Sequence, residues 1–127
     1  MLQAGQTILL PKPGSDIAHL WVILTAPDAL GNVVLVNFTT QRAHSDLTLI
    51  LQPSDHRFIK HATVVHYADA RLTPSSAVER AIKSGLYPQH DPCSPDLVAR
   101  IRANAQLSPF TPEKVKRHLQ DTKPSFE

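Results

Sequence analysis

The sequence predicts a mainly β fold with a helical C-terminal part: a small antiparallel sheet, strongly bent or closed into a barrel, followed by three short helices. Five short runs rich in β-branched and aromatic residues fall within residues 1–74, separated by turn-forming residues. No helical periodicity lies between these runs, which disfavours a parallel sheet with crossover helices. After residue 74, signatures of helix starts recur.

Each predicted strand is an apolar run that ends at proline, glycine or a polar loop. The first ends at a loop that holds two prolines and Gly14, and the second and third are apolar on both faces. Trp21, Phe38 and Tyr67 lie inside strands and are expected to pack in the core rather than stack on bases. The predicted strands are residues 5–10, 19–25, 33–38, 47–51 and 63–67.

The predicted helices begin at serine or threonine caps. Ser75 or Ser76 caps the first, which runs to about residue 84 and stops at Gly85. Ser94, followed by proline and aspartate, opens the second, and Thr111 repeats that signature for the third. We therefore expect residues 1–74 to form the β unit and residues 75–127 a helical extension packed on it, as one compact unit.

Composition limits the class of protein. A chain of 127 residues with 42% hydrophobic and 19% charged residues fits one globular domain and excludes a disordered or fibrous protein. No apolar run reaches the roughly 18 residues that span a bilayer, so no membrane partner is expected. The single cysteine, Cys93, excludes an internal disulfide and has no neighbouring cation to activate it. A soluble, cytoplasmic protein is predicted.

Residues 56–67 contain the densest group of reactive side chains. His56, Lys60 and His61 precede the fifth predicted strand, where imidazoles beside a cation suit acid/base chemistry on a phosphate ester. The alternative is that these are solvated histidines near a turn. His66 is five residues past His61, so in an extended strand the two face opposite ways.

Two further strand ends carry polar groups. His19 opens the second predicted strand, as a proton carrier or as an ordinary hydrogen-bonded strand-end residue. Hydroxyl, amide and guanidinium donors, all suited to phosphate oxygens, follow the third strand. They belong to Thr39, Thr40, Gln41 and Arg42, and the alternative is an ordinary polar loop.

The histidine spacing argues against a metal site. His56, His61 and His66 are separated by five residues, which gives neither one helical face nor one face of a strand. No paired cysteine or carboxylate motif lies nearby. The sequence therefore predicts no metal and no cofactor.

Three segments together resemble the MazF/PemK family of toxin ribonucleases, which are small SH3-like barrels. Residues 5–8 resemble the family's first strand, and residues 18–24 resemble its Gly-His-Arg-Pro segment leading into an apolar strand. Residues 34–41 resemble its apolar strand that ends in a Thr-Ser or Thr-Asn pair. The resemblance covers about residues 5–73 and implies an SH3-like barrel.

The resemblance also implies an activity, namely metal-independent cleavage of single-stranded RNA by a homodimer that a cognate antitoxin inhibits. The family's catalytic threonine corresponds to Thr39 or Thr40, but its arginine corresponds to Leu20 and its proline to Trp21. A leucine cannot stabilise the charge of the transition state. Either His19 and His61 with a lysine have taken over the chemistry, or the barrel persists without it.

Three functional hypotheses follow. The leading one is a toxin-like, metal-independent endoribonuclease in which His19 and His61 exchange protons, Thr39 or Thr40 binds the scissile phosphate, and cations neutralise it. The residues expected to bind substrate are Arg42, Gln41, Lys60 and His56. The second hypothesis is a non-catalytic module that binds nucleic acid or protein, and the third is a structural or regulatory subunit.

Overall fold

The protein is built on a five-stranded antiparallel sheet with strand order β1-β2-β3-β5-β4. The structure, a computed structural model, describes residues 1–12 and 14–122. The strands are β1 Thr7–Pro11, β2 Ala18–Ile23, β3 Asn32–Thr40, β4 Ile50–Leu51 and β5 Thr63–Pro74. The sheet forms a half-barrel and three helices follow it, so the predicted fold class is confirmed.

The helices are α1 Ser75–Lys83, α2 Pro95–Leu107 and α3 Glu113–Asp121. The Ser94 cap is confirmed, since its hydroxyl accepts the Leu97 amide at 3.1 Å. The predicted caps of the other two helices are wrong, because Pro74 and Pro112 occupy those positions and provide no side-chain acceptor. Residues 123–127 of the predicted extension lie outside the described residues. Within residues 1–12 and 14–122, no helix has both the length and the apolarity needed to cross a bilayer.

Two strands differ in length from the prediction. β4 starts at Ile50 instead of residue 47, because the Asp46 carboxylate accepts the backbone and hydroxyl protons of Thr48 and folds this segment into a turn. β5 continues to Pro74, since its pairing with β3 resumes beyond an irregularity between Leu35 and Asn37. That irregularity was not visible as a sequence pattern.

Apolar side chains pack on both faces of the sheet. One face joins the strands to α2 and α3, and the other joins them to α1. Trp21, Phe38 and Tyr67 are at most 2% exposed, so their packing in the core is confirmed. The first cluster includes Leu20, Val22, Val36, Leu97, Ile101 and Val115, and the second includes Ile8, Trp21, Leu35 and Val78.

The proline-rich segment between α1 and α2 runs along the edge of β1 that faces away from β2. The Leu9 amide donates to the Pro88 carbonyl at 2.9 Å, and the Cys93 amide donates to the Gly5 carbonyl at 2.8 Å. Asp91 lies between Pro88 and Cys93 in the sequence of this segment. Residues 88–93 thus cover an edge that would otherwise expose unpaired backbone groups.

Asp46 joins the loop after β3 to the connection between α2 and α3. Its carboxylate accepts the buried Ser108 hydroxyl at 2.7 Å as well as the groups of Thr48. Burial disfavours the ionised form, but the hydrogen bonds from Thr48 and Ser108 outweigh it and lower the pKa of Asp46. The stabilisation is therefore present above the pKa of the unfolded state, near 3.9, and is lost as the pH falls through the folded value.

We expect Asp46→Asn to lower the free energy of unfolding at neutral pH by about 1–3 kcal/mol, because the buried Ser108 hydroxyl loses its ionised acceptor. The difference from the wild type should shrink as the pH falls below about 4. Thermal denaturation at a series of pH values measures both effects. Asp16→Asn, at an exposed aspartate, is the matched control. A gap between wild type and Asp46→Asn that does not change with pH would contradict this account.

Candidate functional site

Three adjacent strands bring most of the predicted site residues to one rim of the sheet. His19 lies at the start of β2, and Thr39 and Thr40 end β3. β5 begins opposite this end, with Thr40 paired to Thr63, and His61 lies two residues before that strand. Because β3 lies between β2 and β5 in the sheet, the three chain segments meet around its end.

The rim borders an open cleft of about 940 Å³. Six of the eight residues predicted to act in catalysis or substrate binding line it. These six are His19, Thr39, Thr40, Arg42, Lys60 and His61. The sequence therefore identified side chains that line one wall of a concavity.

Thr40 and His61 are in direct contact. The Thr40 Oγ1 and the His61 Nε2 are 2.9 Å apart, a hydrogen bond in which either group can donate, depending on the imidazole tautomer. His61 is exposed and Thr40 half-buried, so the pair is open to a ligand. A hydroxyl held against an imidazole in this way can bind a phosphate oxygen while the ring exchanges a proton.

His19 is held by the backbone of β3. Its Nδ1 lies 3.1 Å from the carbonyl oxygen of Phe38. A carbonyl only accepts, so Nδ1 carries the proton, and in the neutral ring Nε2 is left with a free lone pair. The backbone contact thus selects the tautomer in which Nε2 can act as a base.

The two imidazoles approach the cleft from opposite faces of the sheet. Leu20 and Phe38 belong to the apolar cluster under α2 and α3. Because side chains alternate along a strand, His19, next to Leu20, lies on the other face, and Thr40, two residues after Phe38, lies on the face toward α2 and α3. His61 contacts Thr40 and therefore lies on the side of the rim that faces α2 and α3. A ligand lying over the end of β3 would have one imidazole on each side.

Two predicted substrate-binding residues do not line the cleft. Gln41 is exposed. Its backbone amide donates to the Ala62 carbonyl at 3.1 Å, which continues the pairing of β3 with β5. His56 is buried, with Nε2 2.7 Å from the Asp91 carbonyl and Nδ1 accepting the Phe58 amide at 3.0 Å. Both ring nitrogens of His56 are therefore engaged within the protein.

The opposite wall contains residues that the sequence did not suggest, namely Lys12, Arg57, Phe58 and His90. His90 lies in the segment that covers β1, and its ring centroid is 5.4 Å from that of Phe58 and 5.5 Å from that of His56. Arg57 pairs with Asp91 at 3.0 Å. His90 reaches the cleft because the segment 88–93 pairs with β1, and no local sequence signal predicts that pairing.

The lining of the cleft is cationic. It contains Lys12, Arg42, Arg57, Lys60 and three histidines, and among the described residues no aspartate or glutamate belongs to it. In the part of the chain that the structure describes, Arg42 and Lys60 have no ion-pair partner. Such a concavity favours an anionic ligand, and guanidinium and ammonium groups are the usual partners of phosphate.

Lys12 is fixed at the rim by a carboxylate from β5. Its Nζ lies 3.2 Å from Asp69, which also accepts the Asn37 side-chain amide at 2.9 Å. Burial opposes ionisation, but the hydrogen bonds from Asn37 and Lys12 outweigh it and hold the pKa of Asp69 below its usual value. The ionised Asp69 therefore positions the ammonium group without itself lining the cleft.

The residues that would correspond to the Arg-Pro pair of the MazF/PemK family are not in the cleft. Leu20 and Trp21 are both 0% exposed and belong to the two apolar clusters. Among the described residues, no group of three or more histidine, cysteine, aspartate or glutamate side chains is arranged to hold a metal ion. No family model, curated protein or solved structure matched this chain in the comparisons.

Proposed function

We propose that this protein binds single-stranded RNA through its phosphates in the cationic cleft and cleaves it without a metal ion. The observation that carries the proposal is the Thr40–His61 hydrogen bond within a concavity that cations line and that no carboxylate of the described chain lines. Lys60 and Arg42 supply positive charge without competing ion-pair partners in the described chain. A phosphate diester matches both the charge and the hydrogen-bond donors of this site.

The chemistry we propose is attack by the ribose 2′-oxygen on the adjacent phosphorus. The base removes the 2′-hydroxyl proton as the new P–O bond forms, and the acid gives a proton to the 5′-oxygen as its bond to phosphorus breaks. The products are a 2′,3′-cyclic phosphate and a 5′-hydroxyl. His19 is assigned as the base because its Nε2 has the free lone pair in the neutral ring, and His61 as the acid.

The cations and Thr40 act on the phosphate itself. As the phosphorus becomes five-coordinate, negative charge grows on its non-bridging oxygens, and ammonium and guanidinium groups in a concave site stabilise that charge. Lys60 and Arg42 are assigned this role, with the Thr40 hydroxyl as an additional donor. The activity should show a bell-shaped pH profile, since one imidazole must be neutral and the other charged.

The test is incubation of the purified protein with labelled single-stranded RNA of mixed sequence in EDTA. We expect shortened products ending in a 2′,3′-cyclic phosphate, while the all-deoxy oligonucleotide of the same sequence stays intact because it lacks the nucleophile. Binding to both should weaken with rising salt, with a slope of about −0.7 per phosphate engaged. RNA that remains intact over a broad range of sequence and pH would refute the nuclease.

A second candidate is a module that binds single-stranded nucleic acid without cleaving it. The buried Leu20, at the position corresponding to the family's arginine, favours this alternative. Salt-dependent binding of RNA without products in the same assay would support it. Toxin activity, a cognate antitoxin and a homodimer stay predictions that rest on the sequence resemblance.

A further inference from the structure

A second cavity, of about 400 Å³, lies on the face of the sheet covered by α1. Its walls come from β1, β3, β5 and α1, with Tyr87 from the segment after α1. The apolar wall residues are Ile8, Leu10, Leu35, Val78 and Ala81. We call it the α1 cavity. Its size falls within the range of small-molecule sites, and its largely apolar lining suits a flat, uncharged group.

Two cations, Lys12 and Arg71, line the α1 cavity, and no carboxylate of residues 1–12 or 14–122 does so. The Arg71 Cζ lies 4.4 Å from the centroid of the Trp21 ring, which holds the guanidinium against an aromatic surface. Arg71 has no ion-pair partner among residues 1–12 and 14–122. An apolar cavity with an unpaired guanidinium suits a ligand that is flat and carries negative charge beside the ring.

Lys12 lines both the cationic cleft and the α1 cavity. The two cavities are therefore neighbours that share one residue, whose ammonium group Asp69 holds at 3.2 Å. A ligand that fills both must place an anion near Lys12 and a ring on the α1 side. A nucleotide has this division between phosphate and base.

We infer that the α1 cavity is a base subsite, which takes one nucleobase of an RNA strand whose phosphate lies in the cationic cleft. The inference rests on the proposed binding of RNA and adds a determinant of sequence preference to it. The base would lie between the apolar walls, with Arg71 available to stack on its ring or donate to its edge. An apolar peptide segment fits less well, because it would leave the guanidinium of Arg71 without an anion.

The chain contains a single tryptophan, Trp21, so its fluorescence reports on Arg71 and the α1 cavity. Titration with a short single-stranded RNA should change this fluorescence. An abasic ribose-phosphate oligomer of the same length, which fills only the phosphate sites, should bind and leave the fluorescence unchanged. Equal responses to both ligands would count against a base in the cavity.

A filling variant tests the same point by affinity. Ala77 lines the α1 cavity, and Ala77→Phe should weaken RNA binding about ten- to hundred-fold, the range expected for the loss of one stacked base, while leaving the abasic oligomer unaffected. Arg71→Lys, which keeps the positive charge but loses the planar guanidinium group, should weaken RNA binding in the same selective way. Ala99→Phe, at an exposed alanine of α2 outside both cavities, is the matched control.

The two proposals fail in different ways. If the wild type binds and cleaves RNA but Ala77→Phe and Arg71→Lys behave like Ala99→Phe, the base subsite is refuted and the nuclease stands. If the wild type binds RNA without cleavage and the two variants weaken binding selectively, the subsite stands and the nuclease falls. If the wild type does not bind RNA, both are overturned. Circular dichroism and thermal melting identify any variant that fails to fold. If one of the two variants does not fold, RNA binding by the other decides whether the base subsite exists.

Discussion

Replacing His61 by alanine is expected to lower the rate of RNA cleavage by about two orders of magnitude or more, the usual contribution of a general acid or base. The His61 ring contacts the Thr40 hydroxyl at 2.9 Å. In the proposed mechanism the substitution removes the proton donor to the departing 5′-oxygen. Single-turnover cleavage in EDTA, followed over a series of pH values, measures the effect. The pH profile of the variant should lose one limb, which a change in folding alone would not produce.

His44→Ala is the matched control for this substitution. His44 is an exposed histidine in the loop after β3 and does not line the cleft, so its removal should leave the rate close to that of the wild type. RNA affinity should fall little in His61→Ala, because Lys60 and Arg42 remain. Cleavage by His61→Ala at the rate of His44→Ala would show that His61 takes no part in the mechanism.

Lys60→Ala and His61→Ala should separate binding from chemistry. Lys60 is exposed, and its ammonium is assigned to the phosphate, so its loss should reduce both the affinity and the salt slope of binding. His61→Ala should reduce the rate at saturating RNA instead. The contrast between these variants is a stronger test of the assigned roles than either substitution alone.

The wall of the cleft formed by strand ends could be predicted because it follows from chain direction and local pattern. An apolar strand that ends abruptly in polar residues places them at a rim, and in an antiparallel sheet the end of β3 lies beside the starts of β2 and β5. His19, Thr40 and His61 were identified in this way, and all three line the cleft. The direct Thr40–His61 contact needed the register Thr40 to Thr63, which the sequence does not specify.

The opposite wall could not be predicted, because it depends on contacts between distant segments. His90 reaches the cleft through the pairing of residues 88–93 with β1, in a segment whose prolines predict only a loop. His56 shows the reverse effect, since its sequence context suggested a reactive group. In the fold its Nε2 contacts the carbonyl of Asp91, 35 residues away in sequence, and its ring is buried in a structural role.

The same distinction applies to the fold. Local composition located the five strands and three helices, because β-branched and aromatic runs, turn residues and apolar helical stripes act locally, although two of the three predicted caps are wrong. It did not locate the irregularity in β3 that allows β5 to continue to Pro74, nor the Asp46 turn that shortens β4. Both depend on partners that lie elsewhere in the chain, so a window of neighbouring residues contains no signal for them.

Gly5→Ala is expected to cause the largest loss of stability. Gly5 has φ of +97°, and a Cβ built at this position would lie 2.8 Å from the backbone oxygen of Cys93. The left-handed conformation costs an alanine about 1–2 kcal/mol, and relief of the clash requires movement of the segment that covers β1. We expect a total loss of about 2–4 kcal/mol in the free energy of unfolding, measured by chemical denaturation.

Gly31→Ala isolates the conformational part of this cost. Gly31 has φ of +81° and nothing within 4 Å of a built Cβ, so its substitution should cost only the left-handed conformation. The remaining difference between the two variants measures the close approach of Gly5 to Cys93. A Gly5→Ala variant no less stable than Gly31→Ala would show that residues 88–93 are not held against β1 as described.

Cys93, the single cysteine, provides a local readout of the same substitution. Burial raises the pKa of its thiol to about 12, so the native protein should react slowly with thiol reagents near neutral pH. The Cys93 amide donates to the Gly5 carbonyl at 2.8 Å, and Gly5→Ala should break this contact and speed labelling under native conditions, whereas Gly31→Ala should not. Because His90 belongs to the segment thus released, faster labelling should be accompanied by weaker RNA binding in the cleft. Faster labelling with unchanged RNA affinity would mean that this wall takes no part in binding and that the strand ends alone form the site.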